Sequence, residues 1–354
     1  MPNDRLYIGG YTIEAGREPR REGVFLCRLD ANSGRLEQVA GFDVGPNPSF
    51  LAFSPDHRCL YVVNELAQGE VSAFTLDAED GSLARINSQA VEGADPCYLT
   101  VDPTGRWLLV ACYTSGNLAT LPIQPGGGLG PLAEHIQHHG HGPNPDRQEQ
   151  AHTHSVRFDP EGRFALVADL GMDRVWVYRL DGQTGKLTPN TPPGLDGKPG
   201  AGPRHLEFHP NGRVLYISNE LDGTVTACTW DGQTGQISAF QTLSTLPKGF
   251  KEENTVADIH ITPSGDYLYV SNRGHNSLAG YRVDAQSGAL APLGITGCGG
   301  DWPRNFAIHP EGRLMVVANQ YSNDLVTFWI ETDGSLTPTG EKLALPAPVC
   351  VLFG

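Results

Sequence analysis

The chain has 354 residues, 39% of them hydrophobic and 18% charged, with a formal net charge of −15. That length and apolar share allow a sizeable core, while the acidic balance argues against nucleic acid and anionic membranes as partners. No stretch is apolar for long enough to span a membrane, and MPNDRLYIGG has no basic segment leading into an apolar one, so a cytoplasmic protein is expected.

Seven cysteines (Cys27, Cys59, Cys97, Cys112, Cys228, Cys298 and Cys350) are odd in number, scattered and free of CxxC pairs, as reduced thiols would be. Glycine (43) and proline (27) make up roughly a fifth of the chain, which suits many short strands joined by tight turns.

In chain order, RLYIGGYT, GVFLCRLD and RLEQVAG come first and read as three short strands. A repeat then begins: FLAFSPDHRCLYVVNE, YLTVDPTGRWLLVACY, SVRFDPEGRFALVADL, HLEFHPNGRVLYISNE, DIHITPSGDYLYVSNR and NFAIHPEGRLMVVANQ. Its turn prolines, Pro55, Pro103, Pro160, Pro210, Pro263 and Pro310, are 48, 57, 50, 53 and 47 residues apart. Each unit is an apolar strand, a Pro-x-Gly turn and a second apolar strand. A third strand such as RVWVYRL, a DGQTG-type turn and a short fourth segment such as KLTPN follow.

Four short antiparallel strands at this period are the pattern of a β-propeller blade. The fold class expected is all-β, a single seven-bladed propeller domain over residues 1–354. Its seventh blade combines residues 1–42 with 345–354, so that PAPVCVLFG pairs with the N-terminal strands, closes the ring and removes an exposed edge.

The repeat also places the candidate site. If the Pro-x-Gly and DGQTG turns share one rim, the other rim carries the starts of the first strands and the ends of the second. Six residues before each proline stand Ser49, Cys97, His154, Arg204, Ala257 and Arg304; ten after stand Glu65, Tyr113, Leu170, Glu220, Arg273 and Gln320. Residues that recur in most blades, such as Asn64, Asn219, Asn272 and Asn319 with Asp169 in their place, read as scaffold capping a turn. His154, Arg204, Glu220, Arg273 and Arg304 break the repeat and are the candidates for chemistry. His205 and Asp258 lie one residue away, whereas His57, His209, His260 and His309 read as structural.

The segment HIQHHGHGPNPDRQEQAHTH, residues 135–154, holds six of the twelve histidines and accounts for the longest spacing. On an extended strand His152 and His154 would share a face and could chelate. His135, His138, His139 and His141 have no carboxylate at matching spacing, so a solvated lid is expected rather than a metal site. Three arginines and a histidine at a concave mouth suit a small anionic ligand, since guanidinium pairs bidentately with carboxylate or phosphate. Each could instead be a structural ion pair with Glu65, Asp169 or Glu220. No nucleophile elbow, phosphate loop or dinucleotide fingerprint is present.

At HGPNPDRQEQAHTHSVRFDPEGRFALVADLG, GPRHLEFHPNGRVLYISNE, ADIHITPSGDYLYVSNRGHNSLAGYRV and WPRNFAIHPEGRLMVVANQ, the chain resembles the seven-bladed propeller lactonase family. That family includes propeller-type 6-phosphogluconolactonases and is related to fungal carboxymuconate-lactonizing enzymes. The resemblance runs through nearly the whole chain and implies metal-independent action on a lactone, with no cofactor. By motif, the catalytic residues of the lactonizing branch correspond to His154, Arg204, Glu220 and Arg273. Substrate binding is then expected at His152, Arg304, Asp169 and His205, with His152 orienting His154 as general base and Glu220 orienting an arginine or protonating the leaving alkoxide. The expected partner is a small anionic lactone, and the expected assembly a monomer or weak homo-oligomer. Two alternatives remain: a cycloisomerase acting on a muconate-like anion, and a non-catalytic binding module, for which Tyr11, Tyr113, Trp302 and Tyr321 near the rim leave room.

Overall fold

The computed structural model describes residues 4–14, 16 and 18–354. Twenty-eight strands among these residues form seven four-stranded antiparallel sheets. The six repeats are blades 1 to 6, spanning 48–90, 96–137, 153–196, 203–244, 255–297 and 303–344. Blade 7 runs Pro348–Phe353, Arg5–Gly10, Val24–Leu29, Leu36–Phe42, with Ile8 opposite Val351 and Leu6 opposite Phe353. The closure expected from the two termini is therefore the one formed; residues 1–3, 15 and 17 of that expected blade lie outside the described residues. First strands touch those of both neighbouring blades all the way round, and so line the channel.

Second strands such as Cys59–Asn64, Phe164–Asp169 and Val214–Asn219 are buried at all six positions. A strand covered on both faces by neighbouring sheets needs apolar side chains on both, hence runs such as CLYVV rather than alternation. Tyr61 and Val63 of blade 1 pack in this way with Leu108 and Val110 of blade 2.

In the Pro-x-Gly hairpins the glycines adopt positive φ, from 66° at Gly162 to 83° at Gly265, where a Cβ would be strained. His57 takes that place in blade 1 at φ 54°. The residue before the proline caps the turn. Asp102 accepts the amides of Arg106 and Trp107 at 2.7 Å each, and His209 Nδ1 accepts that of Asn211 at 3.0 Å.

A second device ties five of the blades to the next. Tyr7, Tyr61, Tyr216 and Tyr269 donate their hydroxyls to the carbonyls of Gly81, Gly127, Gly288 and Gly334 at 2.7, 3.0, 2.9 and 2.8 Å. Each acceptor is in the third-to-fourth connection of the following blade. Trp107 Nε1 does the same to Gly182 at 3.1 Å. These bonds put the Pro-x-Gly and DGQTG turns on one rim, as the repeat requires.

Candidate active site

On the opposite rim every first strand carries a β-bulge. Pairing skips Ser49, Cys97, His154, Arg204, Arg304 and Val349 in six blades, and both Ala257 and Asp258 in blade 5. The rim position counted from the turn proline is thus the unpaired extra residue. A bulge releases one residue from the ladder and re-aims its side chain, here into the channel mouth.

Glu220, at the end of the second strand of blade 4, is the centre of what gathers there. Its Oε2 lies 2.9 Å from Arg204 Nε, 3.0 Å from Arg273 Nη2 and 4.0 Å from His154 Nε2. Its Oε1 takes Arg147 Nη2 at 2.5 Å. The Arg204 Nε contact is close but poorly aligned as a hydrogen bond. Arg204 Nη1 donates to Ala257 O at 2.8 Å, and Arg273 Nη2 to Val256 O at 3.1 Å. A second group adjoins the first: Tyr11 donates to Glu65 at 2.9 Å, and Arg304 lies over the Tyr11 ring at 5.3 Å and 4.0 Å from Glu65. The residues brought together by counting therefore do meet, and the ion-pair reading of the arginines is the one the contacts display. They pair with Glu220 and Glu65, but four guanidiniums face two carboxylates, leaving a local positive excess in a chain of net charge −15.

The electrostatics set the protonation states. Burial works against a charged Glu220, yet Arg273, Arg204 and Arg147 outweigh it and hold the carboxyl down at about 2. Burial, then Arg204, His205, Arg304 and Arg273, push His154 well below the usual imidazole range, so its ring is neutral. Burial and the Glu65 charge push the Cys97 thiol well up, leaving a thiol rather than a thiolate beside His154.

Three expectations need correction. A fully buried Asp169 does not reach the channel mouth: its carboxylate takes His138 Nδ1 at 2.7 Å and the amides of His152 at 2.9 Å and Met172 at 3.2 Å. It is scaffold, like the asparagines of the other blades.

His152 does not orient His154. The strand begins only at Thr153 and the bulge breaks its alternation, so His152 Nδ1 bonds Tyr113 O at 2.9 Å and Nε2 meets Glu149 at 3.2 Å. The nearest group to His154 Nδ1 that bonds it is Cys97 Sγ, at 3.8 Å.

Nor is the whole segment a solvated lid, although His135, His139 and His141 are exposed. His135 lies in the strand Glu134–Gln137, and His138 is buried between Asp169 and Tyr178, whose hydroxyl is 2.8 Å from Nε2. Among the described residues, no group of three His, Cys, Asp or Glu is arranged to hold a metal.

Two further groups escaped sequence reasoning. Arg147 carries no repeat signal, because it belongs to the insertion. His260, read as structural, lines the channel with Arg157, His205 and Asp258 around a cavity of about 220 Å³. Its spacing of two from Asp258, on one strand face, was the available signal.

The architecture defines the class: a seven-bladed propeller whose channel mouth carries buried, arginine-rich charge. A family model described as Lactonase, 7-bladed beta-propeller matches residues 5–353. The 6-phosphogluconolactonase of Bacillus subtilis (strain 168) is 33% identical over 98% of this chain and 97% of its own. The 6-phosphogluconolactonase of Formosa agariphila is 31% identical over 98% and 96%. Among solved structures, the Pseudomonas aeruginosa periplasmic gluconolactonase PpgL superposes with a TM-score of 0.92 at 32% identity, covering 98% of each chain.

The chain belongs to the seven-bladed β-propeller lactonase family. It is a lactonase, a hydrolase of cyclic esters. Among the described residues no helix is long and apolar enough to cross a membrane, and all seven cysteines are free and buried.

Proposed function

We propose that the substrate is a phosphorylated sugar lactone, 6-phosphogluconolactone, opened to 6-phosphogluconate by water activated at His154. The observation that carries this reading is the convergence of Arg204, Arg273 and Arg147 on Glu220, with neutral His154 Nε2 4.0 Å from the same carboxylate. Two similar chains are 6-phosphogluconolactonases, which supports the choice of substrate.

His154 accepts a proton from water as the water attacks the lactone carbonyl. Arg204 and Arg273 polarise that carbonyl and stabilise the oxyanion; removing one such donor costs about 10²–10³ in rate. The same guanidiniums that oppose charge on His154 welcome the oxyanion, so proton uptake and attack reinforce one another. Glu220, held at about 2, has no proton to give at neutral pH. It orients the arginines, and the leaving alkoxide is reprotonated from His154. Arg304, on the neighbouring Glu65–Tyr11 group, is the partner for the remote phosphate. Buried charge rather than an apolar rim favours this reading over a binding module, and the unpaired cysteines favour a cytoplasmic setting.

The test is a pH-stat assay on fresh 6-phosphoglucono-1,5-lactone, with and without chelator, against the spontaneous rate. Acceleration that survives chelator is the expected result. No acceleration on this lactone, with activity on an unphosphorylated one, would remove the phosphate assignment at Arg304.

A further inference from the structure

Further along the first strands lies a polar set that the hydrolytic steps do not use. Asp258 shares the blade 5 bulge with Ala257. Its Oδ1 takes His205 Nδ1 at 2.7 Å and Ile259 N at 3.0 Å. Its Oδ2 takes His260 Nε2 at 3.0 Å, Phe306 N at 3.2 Å and the Asn305 amide. His205 follows Arg204 in the chain, and its other nitrogen, Nε2, lies 3.2 Å from Arg204 Nη1.

The chemistry of these groups permits one arrangement of protons. An ionised carboxylate only accepts, so the His205 proton is on Nδ1. A guanidinium only donates, so Nε2 must offer its lone pair to Arg204. Burial first, then Arg204, push His205 down to about 4, which keeps the ring in the neutral form this pairing needs.

We propose that Asp258 and His205 are positioning residues for Arg204, the carboxylate selecting the tautomer that lets His205 accept an N–H from the guanidinium. Arg204 Nη1 then has two fixed acceptors, His205 Nε2 and Ala257 O, while Nε faces Glu220. Only Nη2 remains to meet a substrate, and its direction is set by the other two nitrogens. What Arg204 does to the carbonyl rests on the hydrolytic reading above; the tautomer and the grip on Arg204 do not.

The first measurement is ¹⁵N histidine NMR of the full chain, with His205→Phe for assignment. A protonated Nδ1 and bare Nε2 are expected at His205 between pH 5.5 and 8, and a protonated Nε2 would overturn the proposal. Kinetics then compare His205→Gln with His205→Phe. Glutamine can donate to Asp258 through its amide nitrogen and accept from Arg204 through its oxygen, whereas phenylalanine only fills space. Glutamine should hold kcat within about fivefold of the wild type, and phenylalanine should lose tenfold or more with KM changed less than about threefold. Equal activity of the two, or phenylalanine the better, would show a packing role alone.

In Asp258→Asn, three donors on the Oδ2 side hold the amide oxygen there and turn the NH2 toward His205. The wrong tautomer follows, the effect that costs a serine protease about 10⁴ in kcat when its buried aspartate becomes asparagine. A loss of a hundredfold or more is expected here, and an unchanged kcat counts against the proposal. If Asp258→Asn does not fold, the wild-type spectrum still decides. If the wild type opens no sugar lactone, the hydrolytic reading fails while the NMR result stands.

Discussion

Arg147 Nη2 lies 2.5 Å from Glu220 Oε1 and 3.2 Å from the Tyr113 hydroxyl, so the 138–152 insertion between blades 2 and 3 contributes a guanidinium to a cluster otherwise built on strands and their ends. The side chain is 37% exposed, which screens the pair. Arg147→Gln should therefore cost about 1 kcal/mol of transition-state stabilisation, roughly a fivefold fall in kcat/KM. Arg204→Gln, buried, should cost about a hundredfold or more. Steady-state kinetics on the two variants separate a peripheral from a central arginine, and equal losses would contradict the geometry.

Both ends of that insertion are tied to one carboxylate. Asp169 Oδ2 takes His138 Nδ1 at 2.7 Å while Oδ1 takes the His152 amide at 2.9 Å, and all three residues are buried. Asp169→Ala leaves the imidazole and the amide without their acceptor, a loss of about 2–3 kcal/mol. The expected outcome is faster limited proteolysis within residues 138–152, with kcat/KM falling in parallel as Arg147 loses its placement. Unchanged cleavage would mean that Gln148, whose amide donates to Leu170 O at 2.8 Å, suffices to hold the loop.

The buried charges fix the direction of the pH response. His154 is pushed below its ordinary 6.5 by burial and by the surrounding arginines, so it stays neutral as pH falls through that value. The acid limb of kcat/KM should consequently lie below pH 6.5, and Arg304→Met, which removes one opposing charge, should move it upward. Stability behaves differently. Glu220 is lowered from 4.5 to about 2, so it contributes above pH 4.5, on the order of 3 kcal/mol, and loses that as pH falls through about 2. Unfolded His154 gains a proton below pH 6.5 that the folded form refuses, so stability declines from there on acidification. Glu220→Gln strands three guanidiniums near one another and should cost about 3–5 kcal/mol at pH 7. Thermal melts across pH 2 to 8 check both; a Glu220→Gln melt equal to wild type at pH 7 would show that the arginines need no counter-charge.

The propeller was legible because its signal repeats six times: the Pro-x-Gly turn punctuates strands whose burial on both faces makes them continuously apolar. Counting from that turn found His154, Arg204, Glu220, Arg273 and Arg304 without any knowledge of the bulges. Every blade bulges at this position, blade 5 by one residue more than the others, so the count stayed in step. Alternation failed for the same reason: His154 is itself the extra residue between Thr153 and Ser155, so it does not share a face with His152. Asp169 was misplaced at the substrate although its position follows the recurrent asparagine, because a carboxylate beside arginines is an attractive partner in one dimension. Arg147 could not be found, since a loop residue's position depends on where Asp169 and Gln148 pin the chain.

The tyrosine-to-glycine bonds between blades test how far the ring behaves as one structure. Tyr7 of blade 7 and Tyr216 of blade 4 each donate to a glycine carbonyl of the next blade, at 2.7 and 2.9 Å, on the rim opposite the site. Phenylalanine at either position keeps the ring and deletes the donor, leaving a carbonyl in a packed turn without its partner. Each substitution should lower stability by about 1–3 kcal/mol. Two blades separate the sites in one direction round the ring and three in the other, so independent effects should add to within about 0.5 kcal/mol in Tyr7→Phe/Tyr216→Phe. Chemical denaturation of the two single variants and the double variant gives the coupling directly. A double variant much less stable than the sum would mean that loosening one junction strains the other through the closed ring. One equal to a single variant would mean that blade 7 opens before blade 4 is felt. In either case kcat/KM should stay at the wild-type value, because neither hydroxyl contributes to the Glu220 rim.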